Sequence, residues 1–297
     1  MANPANQIQA HPFRKMNGLG NDFIIVDGRA SGFRADETLV RAMASRDGGI
    51  GCDQYIVLEP AEDRSANRAE VFMRIYNTDG SEAGACGNAT RCVADILWAE
   101  RTGDFLKIET RAGLLKAKRR DDGQVTINMG KPRFDWDDIP LAEKFENTAM
   151  LPIQMGPIDA PLIAAPFAVN VGNPHAVFWV KDLDVVDLSK AGPMLENHRL
   201  FPDRANISLA RVDAPDHITL RVWERGVGLT EACGSAACAA VVGAASTKRT
   251  GRAATVTLPG GDLHIEWRQS DDAILMTGPV TYDYEGLFDP STGAVVS

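Results

Sequence analysis

Two cysteines stand in matched surroundings: Cys86 in GACGNATRC (84–92) and Cys233 in EACGSAAC (231–238). In each stretch, small and acidic residues precede Cys-Gly, and a helix-forming run follows. Each thiol is therefore expected at a helix entrance, where free backbone N–H groups and the positive end of the helix dipole stabilise anions. A thiol with an ordinary pKa near ~8.5 becomes easier to ionise there. Gly87 and Gly234 leave room for a substrate carboxylate to approach the backbone. Two such thiols facing each other suit one reaction. One thiolate removes the proton α to a carboxylate, and the opposite thiol delivers a proton to the other face, inverting the stereocentre without pyridoxal phosphate or a metal. Taken alone, a cysteine beside Gly and Ala is a small buried hydrophobe. Cys92, Cys238 and Cys52 are read that way, and the matched contexts set Cys86 and Cys233 apart.

The cysteines belong to a longer repeat. GLGNDFIIVDG (18–28) parallels NVGNPHAVFWV (170–180), placing Asn21 and Asn173 152 residues apart, and Gln54 and Asn206 have the same spacing. MRIYNTDG (73–80) parallels LRVWERGV (220–227), and the two cysteines lie 147 apart. ERTG (100–103) and KRTG (248–251), RAGLLKAK and PGGDLHIE, and INMG (127–130) and LMTG (275–278) complete the series. The order predicts a duplicated half of about 130 residues, a normal domain size. The halves are expected at 11–132 and 133–278, with a C-terminal strand at 279–290 joining the first. The acidic, Pro-punctuated segment 133–161 reads as a linker or irregular crossing strand. Short runs rich in Val, Ile, Phe and Thr, such as FIIV, YIVL, ITLRVW and ATVTL, predict strands bounded by turns. One helix per half is predicted. The first carries an apolar stripe of Ala89, Val93, Ile96 and Leu97 and stops by Gly103; the second is apolar nearly all round, hence buried on every side.

Bulk properties narrow the function. The chain has 297 residues, 44% apolar and 24% charged, an ordinary globular balance. A net charge of −9, with KAKRR (116–120) the densest basic run, argues against general attraction to nucleic acid. The N-terminal MANPANQIQAHPFRK lacks a signal peptide's apolar stretch, and ACGSAACAAVVGAA (232–245) is too short to span a bilayer, so a cytoplasmic protein without a membrane partner is expected. Five cysteines with no CxxC pair and no zinc spacing point to reduced thiols and no bound metal.

The stretch NTDGSEAGACGN (77–88), together with GLGNDF (18–23), GNPH (172–175), ERG (224–226) and T-x-A-C-G (230–234), closely resembles the diaminopimelate epimerase family. The likeness runs over about residues 12 to 289. It implies an α/β (α+β) fold of two pseudo-symmetric domains, each a barrel-like, mostly antiparallel sheet around a central helix. It also implies interconversion of LL- and meso-2,6-diaminopimelate, which feeds lysine and peptidoglycan synthesis, with no cofactor. By that resemblance Cys86 and Cys233 are the paired base and acid, and His175 and Glu224 tune their pKa values. Asn21, Gln54, Gly87, Asn88, Gly234 and Ser235 would surround the reacting end of the substrate. Asn77, Asn173, Asn206, Glu224 and Arg225 would read the distal end. Physically, Arg225 suits a carboxylate and Glu224 an ammonium. The asparagines also suit turns, and Glu224-Arg225 also suits a surface ion pair. Family members often dimerise, which leaves a homodimer open. Three departures stand out: Ser235 and Ala236 in CGSAAC where CGTGAC is more usual, and Cys52 where a small Ala is common. A two-cysteine racemase of proline or hydroxyproline is the nearest alternative, but a ring imino acid has no distal charged end for ERG to read. A thiol redox protein and a non-catalytic binding relative are the other classes; absent CxxC spacing disfavours the first and two retained thiols the second.

Overall fold

A computed structural model describes residues 10–61 and 69–296. The leader segment discussed above falls largely outside them. The chain divides into two compact units, Met1–Val125 with Pro279–Ser297, and Thr126–Gly278. In chain order the first unit contains β1 (His11–Gly18), β2 (Asn21–Asp27), α1 (Glu37–Ala44), β3 (Gln54–Glu59), β4 (Val71–Asn77), β5 (Glu82–Ala83), α2 (Gly87–Ala99), β6 (Phe105–Thr110) and β7 (Gly113–Arg119). Strand β8 (Val125–Asn128) spans the boundary. The second unit continues with β9 (Gln154–Met155), β10 (Ile163–Ala164), β11 (Phe167–Asn170), β12 (Pro174–Trp179), α3 (Leu188–Glu196), β13 (Asn206–Ala214), β14 (His217–Glu224), β15 (Gly228–Thr230), α4 (Gly234–Ser246), β16 (Ala253–Leu258), β17 (Gly261–Trp267) and β18 (Ile274–Gly278). Strands β19 (Thr281–Phe288) and β20 (Val295–Val296) return to the first unit, where β19 pairs antiparallel with β1.

The two units share one strand plan. An antiparallel hairpin, β1–β2 or β11–β12, is followed by a parallel step, β2–β3 or β12–β13. An antiparallel partner, β4 or β14, comes next, and then a second parallel step to β6 or β16. Register repeats with the sequence: Phe23 lies opposite Gln54, and His175 opposite Asn206. In β2 the run Phe23–Val26 is buried without alternation, which means both faces of the sheet are covered. One cover is the central helix. α4 packs against β11, β12, β13, β14, β16, β17 and β18, so its sheet curls around it. An Ala- and Val-rich helix with no polar face is the only kind that fits such a site.

The other cover was not foreseen. Each unit has a second, short helix, not one helix alone. Asp36 caps α1 by accepting from Leu39 N, and Leu39, Val40 and Met43 pack on Ile24, Val26, Tyr55, Val57 and Phe288. α3 holds Leu188, Ala191 and Leu195 against Phe178, Ile207 and Leu209. Both helices are shorter than the span over which apolar periodicity is legible, and Pro193 sits inside α3. The stripe read in the first central helix is also too narrow, because Thr90, Arg91 and Cys92 are buried beside it. It ends at Ala99 with Glu100 as its C-cap, ahead of Gly103. Segment 133–161 is no free linker either. Ile139, Leu141, Leu151 and Ile153 enter the α3 core, the kind of burial that roughly 1.5–3 kcal/mol per large aliphatic side chain makes favourable. The unit boundary at Val125/Thr126 lies earlier than 132/133. The reason is that β8 pairs with β18, Met129 N donating to Ile274 O at 2.9 Å and Ile274 N to Gly130 O at 2.7 Å. Among the described residues, no helix is long and apolar enough to cross a membrane.

Candidate active site

Strand direction gathers the polar residues of each unit. Asn21 opens β2 and Gln54 opens the parallel β3, while Asn77 closes the antiparallel β4, so all three lie at one end of the sheet. In the second unit Asn173 immediately precedes β12, Asn206 opens β13 and Glu224 closes β14. Each antiparallel strand then runs through a short strand into a central helix whose N-cap is a cysteine, Cys86 or Cys233.

In the first unit Cys86 is half-buried, with extended backbone, and its Sγ accepts from Ala89 N at 3.5 Å. Asn88 Nδ2 donates to Asn21 Oδ1 at 3.3 Å, and Asn21 Nδ2 donates to Asp53 Oδ2 at 2.9 Å. Asp22 and Asp53 exchange bonds, each carboxylate accepting the other's backbone N–H at 2.9–3.0 Å. That exchange locks together the openings of β2 and β3. Lys15 and Arg46 neutralise the pair, and Lys15 also donates to Gly51 O. Burial works to raise the Asp22 pKa, but hydrogen bonds and charge from Arg46 and Lys15 hold it down at about 2. Gln54 Nε2 donates to Asn77 Oδ1 at 3.3 Å, and Asn77 Nδ2 to Ser81 Oγ at 3.0 Å. Gln54 Oε1 is buried with no partner among the described residues, an acceptor open to a ligand's N–H.

In the second unit the thiol is more deeply buried and lies beside a carboxylate. Cys233 is only 4% exposed. Burial, then the charge of Glu224 and a hydrogen bond to its carboxylate, push the Cys233 thiol well above its ordinary range, against the pull of Ser235 and the Ala236 N–H. Its Sγ lies 3.5 Å from Ser235 Oγ. Thr230 Oγ1 donates to Glu224 Oε1 at 2.6 Å, orienting that carboxylate. His175 is fully buried, with Nε2 2.8 Å from Asn173 Oδ1 and 3.1 Å from Ser235 Oγ. Because an amide oxygen only accepts, this assigns the proton to Nε2. Nδ1 has no partner among the described residues. Burial, with the Arg225 charge, lowers the His175 pKa to about 3, so the ring is neutral at pH 7. Whatever His175 does to a thiol, it does by hydrogen bonding and not as a cation. Asn206 Oδ1 accepts from Arg225 N at 3.0 Å while its Nδ2 donates to Pro174 O at 2.9 Å. The Arg225 guanidinium rests on Asp203 O at 3.0 Å.

The candidate site residues therefore lie at the helix-entrance end of their own units, while Cys92 and Cys238 are buried inside the helices. The contacts cut across the division into a reacting end and a distal end: Gln54 bonds Asn77, and Ser235 shares His175 with Asn173. Three participants were missed. Thr230 lies inside the quoted T-x-A-C-G and carried no role. Asp53 precedes Gln54 directly. Arg91, fully buried, donates to Asn88 Oδ1 at 2.9 Å and to Pro279 O at 3.1 Å. An arginine beside an apolar helical stripe was the available signal for it.

Comparison with known proteins places this geometry. The family model described as diaminopimelate epimerase matches residues 13–135 and 167–282. A protein named diaminopimelate epimerase from Rhodopseudomonas palustris is 49% identical over 292 residues, covering 98% of this chain and 99% of that one. One of the same name from Afipia carboxidovorans is 51% identical over 288 residues, covering 97% and 98%. Among solved structures, a Bacillus anthracis phenazine biosynthesis protein of the PhzF family superposes with a TM-score of 0.66 at 17% identity, covering 94% of this chain and 99% of that one. A hydroxyproline epimerase from Agrobacterium vitis gives 0.65 at 16%, covering 97% and 95%. At those identities the two structures bear on fold alone. With a family model over most of its length and half its residues shared with named members, this chain belongs to the diaminopimelate epimerase family.

Proposed function

We propose that this chain interconverts LL- and meso-2,6-diaminopimelate, Cys86 and Cys233 taking the α-proton from one face and returning a proton to the other, in the cytoplasm and without pyridoxal phosphate or a metal. The observation that carries the reading is that both cysteines are N-caps of central helices in a family named for this reaction. The chemistry requires the thiols to reach opposite faces of one α-carbon, one as thiolate and one as thiol. Cys233, with its raised pKa, is the resting thiol and reprotonates the carbanion from its side. In the reverse direction it must give up its proton first, and the Glu224 carboxylate that accepts the S–H bond is placed to hold it. Cys86 serves as the partner base. The helix N-termini stabilise negative charge spreading onto the substrate carboxylate as the carbanion forms. Asn21, Gln54, Asn88 and Ser235 bind the reacting amino-acid end, and Arg225 clamps the distal carboxylate. A homodimer is the assembly expected from the family, and light scattering decides it.

The test is incubation of the purified chain with LL-diaminopimelate in heavy water. Epimerisation with deuterium appearing at the α-carbon is expected, and none with proline. Turnover of proline in place of diaminopimelate would overturn the substrate assignment, and epimerisation without exchange the mechanism.

A further inference from the structure

We infer that Glu196 is a positioning residue that holds the Glu224–Arg225–Gly226 turn in its working geometry, an inference that rests on the function proposed above. Glu196 is the last residue of α3 and is 5% exposed. Its Oε2 accepts from Trp223 Nε1 at 2.7 Å, and its Oε1 accepts from Gly226 N at 2.9 Å. Trp223 immediately precedes Glu224 and Gly226 immediately follows Arg225. One carboxylate thus holds both shoulders of a two-residue segment. The third donor is Arg204 Nη1, 3.2 Å from Oε1.

The surroundings are shaped to this contact. Gly226 has φ +75°, so a side chain there would strain the turn. Gly192, one turn before Glu196, lies so close to the Trp223 indole that an added Cβ would come 2.3 Å from its Cδ2. α3 therefore lies flat on the ring that Glu196 anchors. Arg204 adopts φ +60°, an uncommon conformation for a residue with a side chain, and from there pairs with Glu196. The Glu196 carbonyl also accepts from Ala205 N at 3.3 Å, next to Asn206, whose side chain accepts from Arg225 N. The end of α3 is the common anchor of the turn and of the strand beside it. Among the described residues three donors and no acceptor converge on the Glu196 side chain, a demand that a carboxylate meets and a carboxamide does not. The turn projects Glu224 toward Cys233 and carries the Arg225 clamp, so a displacement of about 1 Å here is enough to cost roughly 10²-fold in rate.

The near-isosteric Glu196→Gln places an NH2 against either Trp223 Nε1 or Gly226 N and leaves the packing intact. Two measurements on the full chain test the inference. Amide hydrogen exchange in the peptide covering 223–228 should accelerate while the central helices keep their protection; unchanged exchange overturns the inference whatever the substrate is. With diaminopimelate, KM should rise about tenfold with a fall in kcat, and the KM part of the loss, which runs through the clamp, should shrink to within about twofold in an Arg225→Ala background. Wild-type KM and kcat in folded Glu196→Gln, or KM losses that multiply fully with Arg225→Ala, would reduce Glu196 to a structural residue. If the wild-type chain does not turn over diaminopimelate at all, the function reading fails, and the exchange result still decides whether Glu196 holds the turn.

Discussion

The two thiol sites are built by one backbone device and finished by different electrostatics. In both units an antiparallel strand finishes at the same end of the sheet, a short strand follows, and the next helix is capped by cysteine. On the Cys86 side, Asn88 and Asn21 bond each other, with Arg91 on Asn88 and an ion-pair cluster behind Asn21, where Asp22 and Asp53 clamp the parallel strands. Around Cys233 the clamp is neutral, Asn206 bonding Pro174 O, and the charge comes forward as Glu224 and Arg225. Duplication thus supplied two equivalent scaffolds, and divergence placed a carboxylate, Glu224, beside Cys233, where it raises that thiol. A reaction that must add and remove a proton on opposite faces needs one thiolate and one thiol at the same time, and a carboxylate beside only one of them biases which is which.

The largest expected effect equalises the sites by deletion. Cys86→Ala and Cys233→Ala should each lower epimerisation by at least about 10²–10⁴-fold with the circular dichroism spectrum unchanged. Substantial activity in either would end the two-thiol mechanism. Cys→Ser should fall between, since a hydroxyl donates a proton but is a far weaker base.

Glu224→Gln acts on the asymmetry itself. Removing the carboxylate should cut kcat by about 10²-fold while shifting the pH midpoint of Cys233 alkylation downward, because the charge that raises that thiol is gone. In the wild type, iodoacetamide should label the half-buried Cys86 before Cys233. A raised or unmoved Cys233 midpoint in Glu224→Gln would break the assignment of Glu224.

Arg225→Ala should weaken diaminopimelate binding by roughly tenfold or more, the usual loss of a charge-assisted pair, read as KM against kcat. Equal turnover by the wild type of an analogue lacking the distal carboxylate would remove Arg225 from the clamp.

A further expected effect is on stability and not on turnover. The His175 pKa lies near 3 in the folded chain, against about 6.5 in the unfolded one, because burial and the Arg225 charge disfavour the cation. Between those values the unfolded chain binds the extra proton. Stability should therefore fall as pH drops below about 6.5, by at most ~1.4 kcal/mol per unit. His175→Gln should flatten the decline in urea midpoint between about pH 7 and pH 4.5. A decline of the same slope in both proteins would place the titration elsewhere.

The repeat and the cysteine pair were legible because duplication leaves order and spacing on the page. The register confirms it locally, Phe23–Gln54 and His175–Asn206 sharing the offset read from sequence. Other features were not legible. α1 and α3 are too short to carry a periodic signal, and the apolar residues of 133–161 have no periodicity to reveal that they fill a core. Arg91 is a polar residue where a stripe suggested only a face, since its partners include Pro279 O, 188 residues away in sequence.

By itself the sequence determined which residue types are present, their order in two halves and the helix entrances at which the cysteines stand, because capping and periodicity are local properties. Tertiary structure alone decided that Cys233 lies beside Glu224, that His175 is neutral and that Glu196 reaches both ends of the Glu224–Arg225 turn. Burial and charge proximity set those states, and both depend on strands and helices that meet only after the chain has folded.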